Sequence, residues 1–261
     1  MNEPDKDYAH IRARAEALGL FVRGGFWPCA DDAVPSLPDG RPARTVVLVG
    51  NAGGAMWPVF SGSPEARDGR LHPLDRWSRR VIGAIAGEFG GAACSPNDGP
   101  PWPPFVAWAR RAEPVVESPI GILVHPDYGL WHAYRGAILL AHRIALPAPD
   151  RRPSPCDTCP DQPCRSACPV AAFSPGGYDV AACVEFLSGD EGTRCGGGCL
   201  ARRACPVGQQ YNYPRAQQAL HLDAFLVGQG RDARFGRGLR AREEERGAPG
   251  RRLDRPGVEW R

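Results

Sequence analysis

The sequence predicts an α+β fold: a sheet-and-helix domain over residues 1–150, a cysteine-rich module over 151–213, a helix over 214–227 and a disordered tail over 228–261. Three observations carry this. The first 150 residues mix short apolar runs with amphipathic stretches, as a sheet packed by helices requires. Eight of the ten cysteines fall between positions 156 and 205, in a zone rich in Pro and Gly and poor in large apolar side chains. From position 228 the chain holds seven glycines and ten arginines against six acids, too little apolar surface to offset the entropy of ordering it. With 261 residues and 43% hydrophobic content, the remainder can bury a core.

Taken in order, residues 8–20 read as a helix with Ile11, Ala15 and Leu18 on one face and Gly19 near its end. Residues 45–49 form a buried strand. Over 73–89, Leu74, Trp77, Val81 and Ile85 recur at spacings of three and four, while Asp75, Arg76, Arg79 and Arg80 take the other faces; Pro73 suits the first turn. Five prolines with Asn97, Asp98 and Gly99 make 95–104 a loop. Residues 120–124 read as a second buried strand, and 131–146 as a helix burying Tyr134, Ile138 and His142.

The formal net charge of +3 lies in the tail, since residues 1–227 carry 22 basic and 23 acidic side chains. Of the 32 basic residues only Lys6 is not arginine, a bias that reads as coding composition; nucleic acid is not an expected partner. The longest uncharged stretch, 45–64, contains four glycines and two prolines and could not satisfy its backbone in lipid, so no membrane span is expected. The acidic N-terminal residues resemble neither a secretory signal nor a transit peptide, and a cytoplasmic location is expected. No Ser/His/Asp, paired-carboxylate or Walker pattern supports a hydrolase.

The cysteines carry the chemistry. One run reads Cys156-x2-Cys159-x4-Cys164-x3-Cys168-Pro169; the other reads Cys183, then Cys195-x3-Cys199-x5-Cys205-Pro206. Dense thiols in a reducing compartment point to metal ligands rather than disulfides. Two four-cysteine zinc sites are one reading, but zinc normally uses two separated C-x2-C pairs, whereas here each run is unbroken and ends in Cys-Pro. That pattern is expected for two [4Fe-4S] clusters in a ferredoxin-like module, where the Cys before Pro crosses to the other cluster. One cluster then takes Cys156, Cys159, Cys164 and Cys205, and the other Cys168, Cys183, Cys195 and Cys199. Cys29 and Cys94 lack partners at ligand spacing and read as small apolar side chains.

Three stretches resemble the epoxyqueuosine reductase family. They are His125-Pro-Asp-Tyr-Gly-Leu-Trp131, Tyr178-Asp-Val-Ala-Ala-Cys183-Val-Glu-Phe-Leu187, and the run from Cys195 to Pro206, together spanning about 125–206. The resemblance implies a nitroreductase-like N-terminal domain that binds a corrinoid, ahead of a dicluster module, and a function in one-electron transfer to a redox partner protein or small-molecule acceptor. The spacings after Cys159 and around Cys199 are wider than the family's, and its Asp-Tyr-His and Gly-Lys-Asn segments are absent; Asp75 is the nearest acidic candidate. No tRNA-binding repeat follows, so queuosine synthesis is not expected. A corrinoid or flavin pocket is expected between the 50–54 loop, the 100–104 loop and residues 128–131. His125 and His132 read either as pocket residues or as hydrogen-bonded structural histidines.

Overall fold

A computed structural model describes residues 6–236. The chain runs α1 (Lys6–Glu16), β1 (Phe21–Phe26), β2 (Thr45–Ala52), α2 (Trp57–Ser61), α3 (Pro64–Arg67), α4 (Pro73–Glu88), β3 (Ala92–Cys94), α5 (Phe105–Ala112), β4 (Val116–Glu117), β5 (Leu123–Val124) and β6 (His132–Leu140). It continues through α6 (Pro163–Ser166), β7 (Phe173–Ser174), β8 (Gly177–Tyr178), α7 (Val180–Ser188), α8 (Leu200–Arg203) and α9 (Arg215–Gly228). The fold is mixed α and β, with one four-stranded antiparallel sheet in the order β1-β2-β6-β3 and two small hairpins. Among the described residues no helix is long and apolar enough to cross a membrane.

All eight residues of β2 are buried, because both sheet faces are covered. Val47 and Val49 point into one core with Ile138 and Leu140 of β6, where α1 supplies Ile11 and α4 supplies Leu74, Trp77, Val81 and Ile85. Val46 and Leu48 point into the opposite core with Ala137 and Leu139, closed by Phe105, Trp108 and Ala112 of α5. The period-two alternation of the strand therefore feeds two apolar layers. Each fully buried aliphatic side chain there contributes about 1.5–3 kcal/mol of transfer free energy.

The amphipathic pattern of 73–89 appears as α4, and 45–49 extends to the whole of β2. Residues 131–146 are not a helix. Their centre is β6, paired with β2 from Thr45↔Leu140 to Ala52↔His132. A run buried on both faces is apolar without period, so its sequence cannot distinguish a central strand from a buried helix. The 120–124 strand is shorter than expected: Gly121 closes a turn onto the Ser118 carbonyl, and only Leu123–Val124 pair with β4.

The cysteine zone packs directly on this domain. Ile120, Val124 and Leu130 share a core with Cys164, Ala201 and Cys205. Leu226 of α9 joins Val184, Leu187 and Cys195 in another. Beyond α9 the chain turns back, and the backbone N–H groups of Arg234, Phe235 and Gly236 all donate to the Asp223 carboxylate at 2.6–2.7 Å. One carboxylate thus anchors a segment whose composition offers little apolar surface; the rest of the tail lies outside the described residues.

Candidate metal centre

The eight cysteines sort into two hollows. Cys156, Cys159, Cys164 and Cys205 line the first, with Val124, Leu130 and Val207 among its walls. Cys168, Cys183, Cys195 and Cys199 line the second, walled by Ile120, Phe173, Leu187 and Phe225. Each hollow takes three cysteines from nearby sequence and one from a Cys-Pro pair of the other run: Cys205 sits with the first run, Cys168 with the second.

Local structure explains the sorting. Pro163 opens α6 and sets Cys164, one residue on, into the buried side of its single turn. Asp179 caps α7 by accepting from the Ala182 N–H at 2.9 Å, which fixes the helix that carries Cys183. Cys199 stands at the start of α8, where the free N–H groups of Ala201 and Arg202 point at its sulfur. Leu200 serves Cys195 and Val207 serves Cys205 in the same way, and the Ala172 N–H reaches Cys168 Sγ at 3.4 Å.

Burial pushes the thiols of Cys156, Cys164, Cys183, Cys195, Cys199 and Cys205 above the ordinary cysteine value. Hydrogen bonds oppose it: the Ser154 hydroxyl at Cys156, the Tyr178 hydroxyl at Cys183 and the backbone N–H groups at Cys195, Cys199 and Cys205 all favour the thiolate. Neither hollow includes an Asp or Glu in its lining. The donor set is soft, sulfur-only and supplied with N–H groups, which fits an iron–sulfur cluster. Among the described residues no three His, Cys, Asp or Glu side chains converge closely enough to hold one metal ion.

The chain has no match among family models and none among curated proteins. Solved structures of epoxyqueuosine reductase resemble it. One, solved with an epoxyqueuosine-modified tRNA stem loop, is 16% identical over 80% of this chain and 67% of that chain, with a TM-score of 0.42. The enzyme from Bacillus subtilis is 14% identical over 80% of this chain and 67% of that one, with a TM-score of 0.45. A selenomethionine-labelled epoxyqueuosine reductase gives 14%, 81%, 68% and 0.43 in the same terms.

The pocket expected among the 50–54, 100–104 and 128–131 segments does not form. Residues 50–52 belong to β2, and the Gly53 N–H donates to the Trp131 carbonyl at 2.8 Å, so two of the three segments are zipped together. Residues 207–214 fill the space above them. A Cβ on Gly54 would lie 2.5 Å from Pro214, and Tyr211 packs edge-on against Tyr128 with ring centroids 4.9 Å apart. Gly129 and Gly208 approach backbone to backbone, which only residues without side chains permit. A flat corrinoid or flavin does not fit there. The 100–104 loop lines a separate recess of about 520 Å³ with Pro35, Pro38 and Cys94.

Both histidines of the 125–132 segment are held inside the fold. His125 Nδ1 accepts from the Asp127 N–H at 3.0 Å, and His132 lies between the Arg23 guanidinium at 3.3 Å and the Leu123 carbonyl at 3.0 Å. His132 therefore accepts at Nδ1 and donates from Nε2. Asp75, the nearest acidic candidate, accepts from Asn97 Nδ2 at 3.1 Å. Cys94 is buried, which pushes its thiol up to about 12, while Cys29 is exposed beside Arg111.

Burial, helped by the charge of Arg23, pulls His125 down to about 4 and His132 well below its ordinary value. A ring neutral when folded but protonated near 6.5 when unfolded gives stability that is complete above that pH and lost as pH falls toward the folded value. His125 alone accounts for up to about 3 kcal/mol between pH 6.5 and 4. Urea denaturation across that range should show the loss, and His125→Asn, which keeps an acceptor for the Asp127 N–H, should flatten it. Equal pH profiles for the two proteins would remove His125 as the cause.

Proposed function

We propose that this chain binds two [4Fe-4S] clusters and passes single electrons through them to a redox partner protein or small-molecule acceptor. One observation carries the reading: eight thiols divide into two sets of four, each completed by the Cys-Pro cysteine of the other run. The first cluster would be held by Cys156, Cys159, Cys164 and Cys205, and the second by Cys168, Cys183, Cys195 and Cys199. Bound there, such clusters cycle by one electron at potentials set by hydrogen bonds to sulfur and by solvent exposure.

The protein's own groups supply both levers. N–H donors are aimed at Cys168, Cys195, Cys199 and Cys205, where they offset negative charge on sulfur. Apolar walls from Val124, Leu130, Phe173, Phe186 and Leu187 keep water from the thiolates. The second hollow approaches the surface at the β7–β8 hairpin, where Tyr178 is 40% exposed and stacks on Phe173 at 4.8 Å. That aromatic edge is where an electron would enter or leave.

Anaerobic purification with iron and acid-labile sulfide assays tests the reading. About eight of each per chain is the expected result. About two zinc ions and no sulfide would overturn it. Because few large apolar residues hold 151–213, oxygen exposure that strips the iron should open this zone to protease.

A further inference from the structure

Cys195 and Cys199 are joined by Gly196-Gly-Gly198, the one run of three glycines in the chain. Such a loop has no side chain of its own to pack, and glycine has the most backbone freedom to lose on ordering. Cys195 is nevertheless buried, so whatever holds the loop comes from outside it. Phe235 supplies the cover. Its ring lies against Gly196, 3.4 Å from where a Cβ would stand, and packs on the core of Val184, Leu187, Cys195 and Leu226.

Phe235 is the only large apolar side chain between positions 228 and 236, so apolar burial alone does not account for the order of this segment. Polar contacts fix it on two sides. Asp223 of α9 accepts from the backbone N–H groups of Arg234, Phe235 and Gly236 at 2.6–2.7 Å. The fit is close, since a Cβ on Gly236 would lie 2.7 Å from Asp223 Oδ2. Arg234 reaches the other way and donates from Nη1 to the Leu187 carbonyl at 2.8 Å and to the Gly189 carbonyl. These carbonyls lie at the C-terminal end of α7, where a guanidinium also suits the helix dipole. Because α7 carries Cys183 and the turn over 190–195 leads from it to Cys195, three consecutive residues tie α9 to two ligand-bearing segments.

We propose that residues 234–236 are a clasp that keeps the second hollow closed at Cys195, with Asp223 as its latch. Arg234 fastens the end of α7, and Phe235 holds the glycine loop down. The closure rests on these contacts; its redox consequence rests on the cluster reading above. When the clasp opens, water reaches the thiolate and stabilises the more negative, reduced state of a cluster, which raises its potential. A segment held by so few contacts opens locally without unfolding the domain. None of the three clasp residues lines the first hollow, so only the second centre is governed in this way.

The full chain, purified without oxygen and assayed for iron, is treated with N-ethylmaleimide, and each cysteine is followed in time by peptide mass mapping. In Asp223→Ala and in Phe235→Ala, Cys195 should be labelled about tenfold faster than in the wild-type chain. Cys94 in the sheet core and Cys156 and Cys164 in the first hollow should keep their rates. In Phe235→Ala, which changes no charge, one of the two midpoint potentials should rise and the other stay. Unchanged labelling of Cys195 in both variants, or an equal acceleration at Cys94, would overturn the clasp. Wild-type protein without iron would overturn the cluster reading, while faster labelling of Cys195 in the variants would still support the clasp. Two loaded clusters with unmoved labelling would overturn the clasp alone.

Discussion

Cys205→Ala is expected to abolish the cluster held with Cys156, Cys159 and Cys164 while leaving the set of Cys168, Cys183, Cys195 and Cys199 loaded. Cys168→Ala should do the reverse. In each case the damaged centre is the one remote in sequence, because Cys205 lines the first hollow and Cys168 the second. Iron per chain should fall from about eight to about four, and spectroscopy of the reduced protein should retain one of two signals. If Cys205→Ala protein keeps the first cluster and loses the second, ligation follows sequence runs and the crossed assignment is wrong.

The second large effect concerns charge. Arg23 is 1% exposed, and Glu113 binds it through Nε at 2.8 Å and a terminal nitrogen at 2.7 Å, while also accepting from the Tyr134 hydroxyl at 2.7 Å. The guanidinium rests on the faces of Tyr128 and Tyr134, each centroid 5.0 Å away. Removing the carboxylate strands a cation in the interior, so Glu113→Ala should cost about 3–5 kcal/mol in urea denaturation. Replacing both partners, Arg23→Met with Glu113→Leu, should cost far less, since no unpaired charge remains. A single substitution below about 1 kcal/mol would show that water reaches Arg23.

Particular residues show what the sequence could and could not disclose. Leu74, Trp77, Val81 and Ile85 announce α4 because one face is dry and the other wet, and periodicity reports that contrast. Ala137 to Leu140 have no wet face, so β6 shows no period and reads equally as helix. The cysteines are legible because their residue type and local spacing stand out together, and the structure gathers them into two hollows. The 50–54 glycines suggested an open loop for a ligand; they serve instead to let residues 211–214 pack onto the sheet.

The two hollows are not self-contained. Pro119 and Val124 of the β4–β5 hairpin, with Leu130 of the turn that follows it, wall the first, and Ile120 and Ile122 of the same hairpin wall the second. Arg202 clamps the Leu130 carbonyl from the other side, and Asn51 of the sheet donates to the Tyr213 hydroxyl at 3.1 Å. A genetic exchange with its breakpoint near residue 150 would therefore transfer all eight cysteines of the two hollows and leave behind part of both containers. A graft meant to keep both hollows intact would begin before residue 118 and extend through α9, because the cysteine motifs alone bring only part of the walls.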